Sequence, residues 1–295
     1  MIFKNTLTRY FLIIKNFLGF IIITAIIIAA GFGFYVLFTR SFDFDKSAKI
    51  GDNNKLCNIA GISIDGGLAS LGPKEINKEN FITNLIEDST LYQGGVVNTT
   101  DIRDKLYSLD KQSKYKAIVI DINSPGGNGG DEILEAVQYS EKPIISFVRT
   151  MAASAGYEAI MASDYIIGSP FSEVGSIGVT GSFLENSKKN QKEGFEYISL
   201  SSGKYKDSGN PDKKITEDEK IEMMKIINKM HNLFVESVSI TRSLPMENVK
   251  KISDGRTFLA QDAKDLGLID QVGSWSDTKN YLKELIGEDP VICWE

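Results

Sequence analysis

Residues 17–39 read FLGFIIITAIIIAAGFGFYVLFT, and no charge interrupts them. A helix of about 20 apolar residues matches the hydrocarbon thickness of a bilayer. A helix of that length in a soluble core would carry a polar stripe. A cleaved signal peptide is the main rival, but its apolar region is about 7–15 residues long and ends at small residues. This run is longer, and aromatic residues follow its AAG. The sequence therefore predicts an uncleaved transmembrane anchor over residues 17–39. Lys4, Arg9 and Lys15 precede the run; Arg40, Lys46 and Lys49 follow it, mixed with Asp43 and Asp45. Counting Lys and Arg alone, the asymmetry is modest and favours a cytoplasmic N-terminus and an exported C-terminal part. Residues 1–16 are then a cytoplasmic segment, 40–56 a polar linker, and 57–295 the working domain.

Within that domain, strand-like and helix-like patterns alternate. CNIAGISID, KAIVIDIN, KPIISFV and DYIIGSP are short apolar runs rich in β-branched residues, as buried strands are. GFEYISL reads as a later strand. A helical pattern appears near KENFITNLIED, another starts at Thr100, and DEILEAVQYSE follows the glycines after the second run. A long helix with an acidic first turn begins at TEDEK, and the segments after it are helical. Strands alternating with helices argue an α/β domain. A net charge of -6 provides no basic footprint for nucleic acid. The two cysteines, Cys57 and Cys293, lack CxxC spacing, and the chain has one histidine, so neither a transition-metal site nor a cofactor is expected. The sequence leaves open whether the two cysteines meet.

Four segments carry candidate chemistry. In FVRTMAASAGYEAIMASD, Ser154 falls at a turn of small residues between a strand and a helix, where a nucleophile would be exposed. A serine hydroxyl needs a base to take its proton. The single histidine, His231, lies on the long helix, which reads as a surface element. INSPGGNGG places Gly126 and Gly127 directly after a strand. Their backbone could bring N–H groups to a developing oxyanion, and equally suits a plain turn before a helix. No GK[ST] follows, so this is not a phosphate-binding loop. SSGKYKDSGNPD contains Lys204 and Lys206 in a polar loop. A lysine can replace histidine as base only when neutral, and an ordinary lysine is under about 0.1% neutral at pH 7. Burial can lower that pKa by several units; about 3 units correspond to roughly 4 kcal/mol. A solvated loop charge is the plainer reading of either lysine. EVGSIGVTGS supplies Ser176, whose hydroxyl could orient an amine or simply close a turn.

Together INSPGG, AASAGY, VGSIGV, GKYKD and SDGRTFLAQDAKDLGLID resemble the signal peptide peptidase A family in its short bacterial and archaeal form. Each motif is weak alone; their order and spacing are specific, and the likeness covers most of residues 57–275. The resemblance implies a serine endopeptidase with Ser154 as nucleophile and Lys206 as base, Lys204 being the fallback. It implies that Ser176 steadies the lysine and that the Gly126–Gly127 region supplies an oxyanion amide. It also implies a crotonase-like, Clp-protease-like fold of repeated ββα units. Rings would form in which neighbouring copies contribute serine and lysine, and the substrates would be remnant signal peptides and other apolar peptides at the membrane. Ala155 stands where a glycine often follows the nucleophile, and Glu158 stands where an apolar or aromatic residue is expected. Two other readings remain: an acyl-CoA enzyme of the same fold, and a catalytically inactive membrane scaffold.

Overall fold

The apolar runs become neighbouring strands of one sheet. The computed structural model describes residues 57–71 and 95–295. In chain order these form β1 (Ile59–Ala69), β2 (Gly95–Asn98), α1 (Thr99–Asp110), β3 (Ala117–Ser124), α2 (Gly130–Gln138), β4 (Ile144–Ala153) and α3 (Ala155–Ile160). There follow β5 (Tyr165–Gly168), β6 (Glu173–Gly175), α4 (Ser187–Lys192), α5 (Glu217–Thr241), α6 (Met246–Ile252), β7 (Thr257–Leu259), α7 (Ala260–Asp265), β8 (Gln271–Val272), α8 (Trp275–Ile286) and β9 (Ile292–Trp294). The sheet runs β2-β1-β3-β4-β5-β8. Every pair along that path is parallel. β6 lies parallel to the end of β4 and antiparallel to β7, and β9 lies parallel to β1.

A parallel sheet covered on both faces has apolar strands, and the first four or five residues of β1, β3 and β4 are buried without a break. Toward their C-terminal ends Asp65, Asp121 and Arg149 interrupt the apolar run, and Arg149 pairs with both acids. Ile118, Ile120 and Ile122 of β3 enter one buried cluster with Leu106, Ile133 and Ile160 from α1, α2 and α3. Ala117 and Val119 of the same strand enter the other, with Ile145, Phe147 and Leu282 of α8. Each fully buried isoleucine contributes roughly 1.5–3 kcal/mol. The helix ends match their sequence signals. α1 starts at Thr99, one residue earlier than expected, and Asn98 caps it by accepting from Thr100 N–H. Thr216 and Glu219 form a capping box at α5, as Ser274 and Asp277 do at α8.

Two expectations are corrected. Residues 194–200, expected as a strand, pair with no strand among the described residues. An apolar alternation makes a strand only where a sheet edge accepts it. Here Phe195 N–H instead closes the end of α4 on Asn190 O, and Tyr197 and Ser199 bond Asp207. Phe195, Ile198 and Leu200 consequently remain exposed. The C-terminal part is not purely helical either, because β7, β8 and β9 interleave with its helices and complete the sheet. Cys57 and Cys293 form a disulfide with Cα atoms 5.8 Å apart, tying the start of β1 to β9. Among the described residues no helix is long and apolar enough to cross a membrane. The expected anchor, linker and N-terminal segment, and the helical pattern near residue 80, lie outside the described residues.

Candidate active site

Ser154 occupies the junction between β4 and α3 with φ 52° and ψ -127°. A β-carbon resists that left-handed backbone, so the surrounding structure must impose it. Its N–H donates to Gly175 O at 2.8 Å, and its carbonyl accepts from the N–H groups of Tyr157 and Glu158 at 2.9 and 3.0 Å. Fully buried Tyr157 then anchors α3 through its hydroxyl, which donates to Leu268 O at 2.9 Å. The serine hydroxyl does not cap its own helix. It opens into a cleft of about 1330 Å³.

The SPGG loop packs directly on this turn. Gly126 has φ 101°, and a side chain there would strike Ser154 Cβ at 2.7 Å. Gly127 has φ 138°, and a Cβ would meet Leu68 O at 2.1 Å. Both positions therefore require glycine. They differ in their amides: Gly126 N–H donates to Ser124 Oγ at 3.2 Å, whereas Gly127 N–H has no acceptor among the described residues. Gly127, which lines the cleft, thus has the amide available to an oxyanion. Ala155 N–H, at the first position of α3, is also unengaged there, as helix-opening amides are.

Ser176 follows β6, also with a left-handed φ of 50°. Its N–H bonds Arg256 O at 2.9 Å and its hydroxyl donates to Gly255 O at 3.1 Å. It too lines the cleft. The fold therefore brings Ser154, Ser176 and Gly127 to one cavity from three separate segments, with Gly126 behind them. It does not bring the lysines there within one chain. Lys206 sits on an exposed turn, its N–H on Gly203 O at 3.0 Å, and is not part of the cleft wall. Lys204 pairs with Asp218 at 2.6 Å. That hydrogen bond raises its pKa, the opposite of what a neutral base requires.

One cleft residue was not legible as such. His231 is half-buried in the wall contributed by α5, and its buried Nε2 has no hydrogen-bond partner among the described residues. The available signal was its spacing from Phe234, Val235 and Val238, which places it on the buried face of the helix. Leu134, Met230, Leu233, Phe234 and Ile240 make much of the remaining wall apolar. The C-terminal end of α5 is fixed by Arg242, which bonds Asp270 at 2.7 Å and Gly267 O at 3.1 Å.

Glu158, one turn beyond Ser154, also lines the cleft. Desolvation first, then the nearby Asp131 charge, pushes its carboxyl up to about 7 from 4.5. The folded state thus favours the protonated form, so stability is full below the unfolded pKa and declines as pH rises through 7. Glu158→Gln is expected to match the parent near pH 4.5 and to exceed it at pH 8 by up to about 3 kcal/mol, measured by denaturant unfolding at both pH values. Among the described residues no group of three or more His, Cys, Asp or Glu is placed to hold a metal ion.

The model of peptidase family S49 matches residues 136–288, more than half of the chain. The chain belongs to peptidase family S49. The Clp protease model matches residues 74–168, which agrees with the parallel α/β sheet and gives the fold its class. An S49 assignment also accords with the relatives. A putative protease of Methanocaldococcus jannaschii is 33% identical over 61% of this chain and 59% of its own length. The chloroplastic serine protease SPPA of Arabidopsis thaliana is 30% identical over 62% of this chain and 28% of its own. A putative signal peptide peptidase SppA of Enterococcus faecium is 27% identical over 81% and 66%. The matches thus span less than two thirds of the length of these curated relatives. Among solved structures, a ClpP1 mutant from Listeria monocytogenes aligns with a TM-score of 0.45 at 17% identity, covering 74% of this chain and 92% of that one.

Proposed function

We propose that this S49 protein is a membrane-anchored serine endopeptidase in which Ser154 attacks the peptide and Lys206 of an adjacent copy takes its proton. The observation that carries the reading is Ser154 itself, held with φ 52° at a strand-to-helix turn and lining a cleft beside the Gly127 amide, which has no acceptor among the described residues. Backbone of that kind is costly and is found where a side chain must be presented in one pose.

The chemistry follows from the placement. Lys206, neutral and shielded in the assembly, accepts the Ser154 proton as Oγ attacks the peptide carbonyl. Negative charge develops on the carbonyl oxygen, and the Gly127 N–H, joined by that of Ala155, stabilises it. The lysine then gives its proton to the leaving amine, and water releases the acyl group by the reverse transfer. Ser176, whose hydroxyl already donates to Gly255 O, retains lone pairs to accept from the incoming amine and orient it. The apolar cleft wall supports substrates such as remnant signal peptides and other apolar segments. The relative named signal peptide peptidase supports the same choice. The disulfide supports an exported catalytic domain, since such bonds persist in oxidising compartments. That agrees with an anchor over residues 17–39 and a cytoplasmic N-terminus.

The experiment is a complementation test. Lys206→Ala and Ser154→Ala, each purified alone, are expected to lack peptide cleavage, whereas His231→Ala retains it. Mixing the two inactive variants so that copies exchange is expected to restore part of the activity, because some interfaces regain both partners. Retained cleavage by Lys206→Ala with Lys204 also replaced would remove the Ser–Lys pairing, and loss of cleavage in a normally folded His231→Ala would move the base to the histidine of the cleft wall.

A further inference from the structure

The cleft carries a charge pattern that the cleavage chemistry does not use. Among the described residues its wall contains four carboxylic residues, Asp131, Glu158, Glu236 and Asp254, and no lysine or arginine. Asp254 is engaged by Arg256 at 2.8 Å. Glu158 is different: no described residue bonds its carboxyl, and its neighbour is another acid, Asp131 in the first turn of α2. Glu158 is one turn from the nucleophile, since its N–H bonds Ser154 O at 3.0 Å. The niche in which its carboxyl sits exists because position 130 lacks a side chain. A Cβ on Gly130 would lie 2.8 Å from Glu158 Oε2 and 2.4 Å from Ala155 O. A desolvated carboxyl whose charged neighbour is another acid is poorly placed for stability. It becomes favourable when a cation fills the space.

We infer that Glu158, with Asp131 beside it, forms an acidic subsite that selects peptides carrying a lysine or arginine close to the bond that Ser154 cleaves. The inference rests on the peptidase reading and gives it a substrate class: apolar peptides with a basic side chain near the scissile bond. The long apolar stem of lysine or arginine suits the wall of Leu134 and Phe234, while its cationic head meets the two carboxyls. The charge of the subsite also depends on pH. The titratable groups facing it from the surrounding elements are Asp131 of α2, His231 and Glu236 of α5, and Asp254 between α6 and β7. With the Glu158 carboxyl titrating near 7, selectivity for the basic peptide should rise between pH 6 and pH 8.

The test uses the full chain in detergent and one apolar peptide in which a single lysine or leucine is moved through the positions around the cleaved bond. Binding is read by fluorescence anisotropy in a Ser154→Ala background, and cleavage in the parent. At one position the lysine peptide is expected to bind at least about tenfold more tightly than its leucine counterpart, a preference that Glu158→Gln removes and Asp131→Asn weakens. Equal binding of both peptides, or a preference that survives Glu158→Gln, overturns the subsite even if cleavage proceeds. A Glu158-dependent preference without cleavage by the parent upholds the subsite and instead defeats the peptidase reading.

Discussion

Ser154→Ala is expected to lower peptide cleavage by about 10⁴-fold or more and to abolish labelling by a fluorophosphonate probe. That loss corresponds to about 5.5 kcal/mol of transition-state stabilisation. In the proposed mechanism the nucleophile and its base act as a unit, so removing one leaves only binding and the oxyanion amides. The fold should survive the change. Ser154 is partly exposed, its hydroxyl does not cap α3, and the backbone bonds that hold the turn involve its N–H and carbonyl. Alanine at φ 52° carries the same β-carbon strain as serine. Unchanged circular dichroism and thermal unfolding would therefore accompany the loss of activity. Turnover in a folded Ser154→Ala protein would assign the reaction to another residue.

Replacing Cys57 and Cys293 together by serine is expected to destabilise the domain by about 5 kcal/mol. The bridge joins residues 236 apart, and the chain entropy that the unfolded state regains when so long a loop is opened is of that order. For a domain of this size the loss corresponds to a fall of about 10–20 °C in Tm. The reason is local as well as global. β9 is a three-residue strand whose pairing with β1 brings Cys293 beside Ala60. Trp294 covers Gly61, where a side chain would meet its ring at 2.6 Å. Without the bridge this short strand keeps only a few backbone bonds. A reducing agent should lower the Tm of the parent by a similar amount and leave the double variant unaffected. A parent insensitive to reduction would show that β9 needs no covalent tie.

The sequence was most readable where a residue's fate is decided by its immediate neighbours. The isoleucine-rich runs around Ile62, Ile120 and Ile145 announced strands, because short apolar runs rich in β-branched residues suit a buried parallel sheet. The acidic first turn after Thr216 announced the start of α5. Ser154, Gly127 and Ser176 stood out one by one, and the sheet gathered them into a single cleft. What depended on distant partners was harder to read. GFEYISL had the composition of a strand and found no edge to join. His231 looked solvent-facing until the packing of α5 against the domain showed which side of the helix is covered. The pairing of Cys57 with Cys293 required the register of β9 on β1, which no local pattern specifies.

The bond from Ser154 N–H to Gly175 O has a wider consequence. It ties the end of β4 to the end of β6, and Ser176 is the next residue along. Both serines therefore hang from one two-strand ladder, in which a slip of a single residue would turn a side chain to the opposite face. The relative placement of Ser154 and Ser176 is settled as the chain folds, before any peptide arrives. The opposite bank of the cleft belongs to a helix outside that ladder, so its lining can diversify across descendants while the reacting centre stays put.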